Sequence, residues 1–159
     1  MTALYVREHD AYREANPRDV FAHAQVLMSR QFRPGAPVLE RRDQLRAFLQ
    51  LRLGACEYEV FGVIYLDARR RLIALEELFR GTVSQAQVYT REVLKSVLAH
   101  NAIAVMLFHN HPSGDCQPST ADEFFTGRLK NALALIDVDV VDHLIVSAQV
   151  FSFAEHGLL

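Results

Sequence analysis

The spacing of hydrophobic residues divides this chain into a helical first third and a remainder in which strands and helices alternate. After Asn16, which is typical of a helix cap, apolar residues recur at helical spacing until Gly35. A second amphipathic helix is predicted over residues 43–53, and Gly54 follows it as a stop signal. From residue 59 onward the apolar runs are short and nearly continuous, which is typical of strands covered on both faces.

Alternating strands and helices are predicted for the rest of the chain. The predicted elements are strands over 59–66 and 72–79, a helix capped by Thr90 and ending near 100, a strand over 103–108, a helix over 120–136, and strands over 138–146 and 150–153. This order predicts a single compact α/β domain with a mixed β-sheet flanked by helices. We expect residues 39–159 to form this domain. Residues 1–38 are expected to form an N-terminal helical segment, with looser order over 1–15.

Composition and charge narrow the classes of protein to which this chain can belong. Its 159 residues are half hydrophobic and 23% charged, so a core can form without disulfides. Two cysteines, Cys56 and Cys116, lack C-x-x-C spacing, which indicates a reducing, cytoplasmic setting. A membrane segment is not expected, because no apolar run reaches membrane-spanning length. The formal net charge of -2 does not favour direct nucleic-acid binding. The substrate and the oligomeric state stay open.

Residues that can carry chemistry concentrate in one stretch, HNHPSGDCQPSTAD, at positions 109–122. His109 and His111 are two positions apart, so both imidazoles project to the same side of a strand end. The turn residues that follow let a helix begin at Ser119, and Asp122 then lies in its first turn, facing the strand end. Two imidazoles and one carboxylate are a common ligand set for catalytic zinc. The pattern therefore predicts a Zn²⁺ site at these three residues.

A simpler interpretation exists for the last part of this stretch. Ser119-x-x-Asp122 also matches a capping box, in which serine and aspartate satisfy the free N–H groups at a helix start without any metal. Capping does not explain the two histidines, and for the residues taken together the metal site is the better explanation.

Several neighbouring residues have two interpretations each. Cys116 lies between the ligands and could reach the metal, although a solvent-facing loop thiol is simpler. The pair Asp142-His143 could orient a ligand by a hydrogen bond, or could fix the sheet edge instead. Asn110 points away from both histidines by strand alternation, so we expect it to bind a turn or the backbone.

The same stretch resembles the JAMM motif of the JAB/MPN metalloprotease superfamily, with H-N-H-P, ten intervening residues and an S-x-x-D ending. From Glu59 to Leu159 the chain further resembles the RadC family (UPF0758). The shared motifs are HNHPSG, P-S-x-x-D, D-H-L-I-V and S-F-A-E-x-G-L-L, which lie here at residues 109–114, 118–122, 142–146 and 152–159. The resemblance implies the JAB/MPN (cytidine-deaminase-like) architecture. It also identifies the chain as a short form without the N-terminal helix-hairpin-helix segment of longer members.

Site roles follow from this resemblance. It implies that His109, His111 and Asp122 bind zinc and that the Ser119 hydroxyl stabilises an oxyanion. An upstream glutamate is implied as general acid and base, and the superfamily pattern Glu-x-x-Gly matches this chain from Glu59 onward. Other acidic residues compete for this last role, namely Glu57, Glu76 and Glu77.

The implied activity is hydrolysis of an amide bond by a metal-activated water, as in a metallopeptidase or isopeptidase. The alternative is a non-catalytic MPN-like binding module associated with DNA repair or recombination. Loss of the metal in such modules would show as a broken ligand set, and here every ligand position is intact. The sequence therefore favours the enzyme.

Overall fold

The computed structural model describes residues 3–81 and 88–159, and its strands and α-helices follow the predicted order with one addition. The strands are β1 (Tyr5–Glu8), β2 (Ala11–Glu14), β3 (Val60–Leu66), β4 (Leu72–Arg80), β5 (Ala104–Asn110), β6 (Asp139–Val146) and β7 (Val150–Ser152). The helices are α1 (Pro17–Gln31), α2 (Arg42–Leu53), α3 (Thr90–Ala99) and α4 (Thr120–Ala134), with a 3-10 turn at Val38–Arg41. The addition is the hairpin of β1 and β2, for which the hydrophobic pattern carries no strand signal.

A mixed five-stranded sheet with the strand order β4-β3-β5-β6-β7 forms the centre of the molecule, as predicted. Strands β5 and β6 are parallel, and the other neighbours are antiparallel. A parallel pair needs a crossover between its strands, and α4 is that crossover. The β5–α4 connection therefore starts at the end of a central strand, which is where the HNHPSG stretch lies.

Helices cover both faces of this sheet and create two hydrophobic layers. On one face, Leu49 of α2 packs in a cluster with Ile64 and Met106 of the strands. On the other face, α3 and α4 pack in a second cluster with the odd-numbered residues of β5, including Val105 and Leu107. Because side chains alternate along a strand, His109 belongs to the second face. This places it on the side of the sheet where α4 begins.

The N-terminal segment packs less tightly than the sheet. Helix α1 begins with the predicted Asn16 cap, which forms a capping box with Asp19. Every residue of α1 stays at least partly exposed, and Met28 packs against the first cluster together with Phe32 beyond the helix end. The boundary between residues 38 and 39 stays a prediction. Within residues 3–81 and 88–159, the helices lack the length and apolar character that crossing a membrane requires.

One predicted helix start differs in the structure. The N-cap of α3 is Tyr89 and makes no side-chain capping bond, whereas Thr90 is the first helical residue. The Thr90 hydroxyl accepts hydrogen bonds from the Arg128 guanidinium of α4 instead. A tertiary contact between two helices thus uses the group that local sequence assigned to capping.

Candidate metal centre

Three side chains that could hold a metal ion converge between the end of β5 and the first turn of α4. His109 Nε2 lies 2.9 Å from His111 Nε2 and 3.3 Å from Asp122 Oδ1. His111 Nε2 lies 3.5 Å from Asp122 Oδ2. His109 is buried, and the other two are half-buried. The structure therefore brings together the three residues that the sequence pattern assigned to one metal site.

The loop between β5 and α4 makes this convergence possible. The His111 N–H donates to the Val146 carbonyl of β6, which continues the sheet contact by one residue beyond β5. The Gly114 N–H then donates to the His111 carbonyl, and Gly114 adopts a φ of 88°, a left-handed conformation that glycine accommodates. The chain reverses there and delivers Ser119 and Asp122 to the same side as the histidines.

Asp122 takes part in both structures that the sequence analysis weighed against each other. Its Oδ2 accepts the Ser119 N–H at 2.8 Å and the Ser119 hydroxyl at 2.6 Å, and the Ser119 Oγ in turn accepts the Asp122 N–H. Its Oδ1 is the oxygen closer to His109. The capping box and the ligand group are therefore compatible, because the cap uses Oδ2 and leaves Oδ1 facing His109.

Charge favours the ionised form of Asp122. Burial by itself raises the pKa of this carboxyl, but the contacts with His109 and His111 and the hydroxyl of Ser119 outweigh it and hold the pKa well below its ordinary value. The Asp122 carboxylate raises the pKa of His111, and the charge of Glu59 adds to this effect. The negative charges of Asp122 and Glu59 therefore act on the imidazoles of the site.

The two imidazoles are held at their far nitrogens by different groups. His111 Nδ1 lies 2.8 Å from the Asp115 carbonyl in the loop. His109 Nδ1 lies 2.8 Å from Nε2 of His143, whose own Nδ1 lies 2.6 Å from the Thr126 hydroxyl. Complete burial lowers the pKa of His143 well below its ordinary value, so this ring is neutral. Sequence analysis raised His143 as a group that could orient a ligand, but it missed Thr126.

Glu59 lies just before β3, the strand that pairs with the His109 end of β5. Phe61 of β3 pairs with His109 in the antiparallel register, and continuing that register by two residues places Glu59 opposite His111. Glu59 is half-buried, and its charge contributes to the pKa of His111. The spacing of residues along the sequence does not predict this register between β3 and β5.

The rival glutamates have other surroundings. Glu57 is exposed. Glu76 lies 3.3 Å from His100 Nε2 and accepts hydrogen bonds from the hydroxyls of Tyr65 and Ser96. Glu77 pairs with Arg52 at 2.7 Å and with the guanidinium of Arg80. These contacts favour Glu59 over its rivals as the acidic residue next to the ligand group.

Asn110 holds the backbone on both sides of Glu59. Its Oδ1 accepts the Val60 N–H at 2.7 Å, and its Nδ2 donates to the Tyr58 carbonyl at 3.1 Å. Asn110 is buried and lies on the face of β5 opposite to the histidines. The prediction that this residue binds backbone is confirmed, and its partners flank the glutamate of the site.

Two further predictions around the site have separate outcomes. Cys116 is half-buried and packs against the cluster of Ile145, Phe151 and Phe153, so it is less exposed than the expected solvent-facing loop thiol. The carboxylate of Asp142 accepts hydrogen bonds from the His143 N–H, the Ala154 N–H and the Ser152 hydroxyl. Asp142 therefore fixes the sheet edge, which was one of the two interpretations of the pair. His143 contacts His109, which agrees with the other interpretation.

Fold and ligand group together define a domain of the JAB/MPN type. Comparison with known families matches residues 39–158 to the family described as RadC-like JAB domain. The UPF0758 protein of Leptothrix cholodnii is 58% identical over 124 residues, which cover 77% of this chain and 56% of that protein. The UPF0758 protein of Nitrosomonas eutropha is 49% identical over 146 residues, which cover 87% of this chain and 65% of that protein. This chain belongs to the RadC-like JAB domain family.

The chain matches only part of each of these relatives. A third relative, the UPF0758 protein of a Janthinobacterium species, is 56% identical over 122 residues, which are 54% of its length. The chain thus spans between about half and two thirds of the relatives that it matches. The name UPF0758, which these relatives share, states no activity.

Proposed function

We propose that this chain is a zinc-dependent hydrolase of the JAMM type, a metallopeptidase or isopeptidase that cleaves an amide bond with water. The observation that carries this proposal is the grouping of His109, His111 and Asp122 within 3.5 Å of one another, with Glu59 directly before the neighbouring strand β3. The cytoplasmic setting indicated by the two cysteines stays a prediction.

The ligand group fits zinc by its chemistry and its size. Catalytic zinc sites commonly use three protein ligands of the imidazole and carboxylate types and leave a fourth position open. With zinc–ligand distances of 2.0–2.1 Å, the ligands of a tetrahedral site lie about 3.3 Å apart. The two Nε2 atoms here lie 2.9 Å apart, and they lie 3.3 and 3.5 Å from the Oδ1 and Oδ2 of Asp122, respectively. With one ligand atom from each residue, the three atoms lie within 4.8 Å of one another, so movements of the side chains would bring them to one ion.

Each residue of the site then has a distinct part in amide hydrolysis. A zinc ion held by these three groups would supply Lewis acidity, which makes water a nucleophile near neutral pH. The Glu59 carboxylate would take the proton from the attacking water and return it to the leaving amine, so that no net proton is consumed. Such a general base typically contributes a factor of about 10²–10⁴ to the rate.

Ser119 would stabilise the negative charge that develops on the attacked carbonyl oxygen. In the structure its hydroxyl hydrogen is directed at Asp122 Oδ2, so the hydroxyl would have to rotate toward the substrate to act. One donor of this kind is typically worth about 3 kcal/mol of transition-state stabilisation. The cap would keep its second contact, the Ser119 N–H to Asp122, during this rotation.

Metal content and hydrolysis of a peptide library test this proposal together. We expect about one zinc per chain in the native protein and in Glu123→Gln, and none in Asp122→Asn. Glu123 is the matched control, since it lies exposed in the same helical turn. Glu59→Gln should retain zinc and lose hydrolysis by about 10²–10⁴-fold, whereas Glu57→Gln should keep both.

The contrary outcomes separate the parts of the proposal. A folded native protein that takes up no zinc would overturn the hydrolase and favour the non-catalytic binding module. Zinc uptake with equal hydrolysis by the native protein and Glu59→Gln would overturn the role of Glu59.

A further inference from the structure

Two buried side chains lie behind the ligand His109 and connect it to the main chain of α4. The contacts run from His109 Nδ1 to His143 Nε2 at 2.8 Å, and from His143 Nδ1 to the Thr126 Oγ1 at 2.6 Å. The Thr126 hydroxyl also lies 2.6 Å from the carbonyl of Asp122. His143 and Thr126 are each only 1% exposed, and the proposed reaction uses neither.

The hydrogen-bond direction along these contacts follows from their last member. A main-chain carbonyl only accepts, so the single hydrogen of the Thr126 hydroxyl is donated to Asp122. Thr126 Oγ1 must then accept from His143, which places the hydrogen of that ring on Nδ1. A neutral imidazole has one donor and one acceptor, so His143 Nε2 accepts from Nδ1 of His109. The Nε2 of His109 is left with its lone pair directed at the site.

We infer that Thr126 and His143 are positioning residues that fix the hydrogen of His109 on Nδ1 and so prepare its Nε2 to bind the metal. This inference rests on the proposed function, because it concerns the same metal site. The main-chain carbonyl of Asp122 anchors the contacts, and the Asp122 side chain is itself a ligand. Two ligands on different elements are thereby tied together through the core.

The surroundings of His143 keep its ring in place for this purpose. The ring stacks on Phe153 with centroids 4.9 Å apart and an angle of 26° between the planes. The ring of Phe61 meets it edge-on at 6.0 Å and 77°. The second ligand, His111, needs no such support, because its Nδ1 faces the Asp115 carbonyl directly. Both ligands therefore carry their hydrogen on Nδ1, but for different reasons. The tautomer of His111 is fixed by a main-chain carbonyl, whereas the tautomer of His109 depends on the side chains of His143 and Thr126.

A matched pair of substitutions at Thr126 tests this arrangement. Thr126→Val keeps the shape of the side chain and removes the hydroxyl, whereas Thr126→Ser keeps the hydroxyl. Long-range ¹H–¹⁵N NMR of the metal-free protein, at a pH well above the ordinary histidine pKa of about 6.5, reports which ring nitrogen carries the hydrogen. We expect the Nδ1–H form of His109 in the native protein and in Thr126→Ser, and a shift toward Nε2–H in Thr126→Val.

Zinc affinity, measured by competition with a chelator, is the second readout. Loss of a hydrogen-bond partner behind a histidine ligand typically weakens metal binding by about 10–100-fold, and we expect this for Thr126→Val alone. His143→Gln offers an amide that can accept from His109 and donate to Thr126, so it should bind zinc more tightly than His143→Leu. Thermal unfolding of each metal-free variant shows whether it is folded.

The results separate this inference from the proposed function. Native-like zinc affinity in Thr126→Val, or an Nε2–H form of His109 in the metal-free native protein, would overturn the inference while leaving the hydrolase intact. Zinc binding that depends on Thr126 in a protein that hydrolyses no peptide would support the inference and contradict the hydrolase. If the native protein binds no zinc, the metal-positioning role fails together with the metal site.

Discussion

At the scale of single residues, the site depends on polar groups that face away from it as much as on those that face into it. Asn110 shows this most directly. Its side-chain amide forms hydrogen bonds with the main chain of Tyr58 and Val60, as the backbone of a paired strand would. The residue is buried, so removing the amide leaves the Val60 N–H without water or a partner. The backbone at Glu59 then loses the contact that ties it to the histidine strand.

We therefore expect Asn110→Ala to lower the free energy of unfolding by about 1–3 kcal/mol, the typical cost of an unsatisfied buried group. Chemical denaturation of the metal-free protein measures this. The control is Asn131→Ala, an exposed position on α4 where the change should stay within about 0.5 kcal/mol. Equal effects of the two substitutions would show that the Asn110 contacts contribute little to stability.

At the scale of elements, the close approach of β3 to its neighbours explains the glycine of the Glu-x-x-Gly pattern. A Cβ at Gly62 would overlap the ring of Phe108 and come within 2.5 Å of the Glu76 main-chain oxygen. The ring could shift, but the β4 backbone is held by the sheet. The absence of a side chain at Gly62 thus allows β3, which follows Glu59, to lie this close to Phe108 and to the β4 backbone.

Gly62→Ala should destabilise the protein by about 1–3 kcal/mol, as overpacking in a core does. Gly127 of α4 provides the opposite case, since a Cβ there would meet nothing within 4 Å. We expect Gly127→Ala to stabilise the protein by about 0.5–1 kcal/mol through helix propensity. Denaturation midpoints of both variants, compared with the native protein, measure these changes. A Gly62→Ala protein as stable as the native protein would contradict the tight packing around Gly62.

At the scale of the whole molecule, the ligand group joins the sheet to the helix that crosses over it. His109 and His111 come from the end of β5, and Asp122 comes from the start of α4. An ion that needs all three groups would bind the folded chain and not the unfolded chain, because the unfolded chain does not bring these groups together. Binding would therefore stabilise the fold by mass action.

At free zinc about 100-fold above its dissociation constant, the stabilisation should be about 2.7 kcal/mol. For a chain of this size, this corresponds to a rise in Tm of roughly 5–11 °C at about 2–4 °C per kcal/mol. Scanning calorimetry with zinc and after chelation measures the rise. It should persist in His23→Ala, an exposed histidine on α1, and disappear in His109→Ala. A rise that survives in His109→Ala would place the bound zinc elsewhere.

Local patterns in the sequence were enough to predict the element order, the mixed α/β class and the three residues that could hold a metal. These follow from local rules, since hydrophobic periodicity, turn residues and the spacing of His109, His111 and Asp122 are all encoded over short distances. The helix cap at Ser119 was predictable for the same reason, and the structure contains it together with the ligand group. Within residues 3–81 and 88–159, the hairpin of β1 and β2 is a pair of strands that carried no local signal.

The tertiary structure alone decided which distant groups meet at the site. The Glu-x-x-Gly pattern favoured Glu59, but its position near His111 follows from the register of β3 against β5. Thr126 joins the site through its contacts with His143 and the Asp122 carbonyl. Cys116 turned toward the core for a similar reason, because strand β7 provides an apolar surface beside the loop. Register and packing depend on contacts between residues far apart in the chain, and no spacing within one segment encodes them.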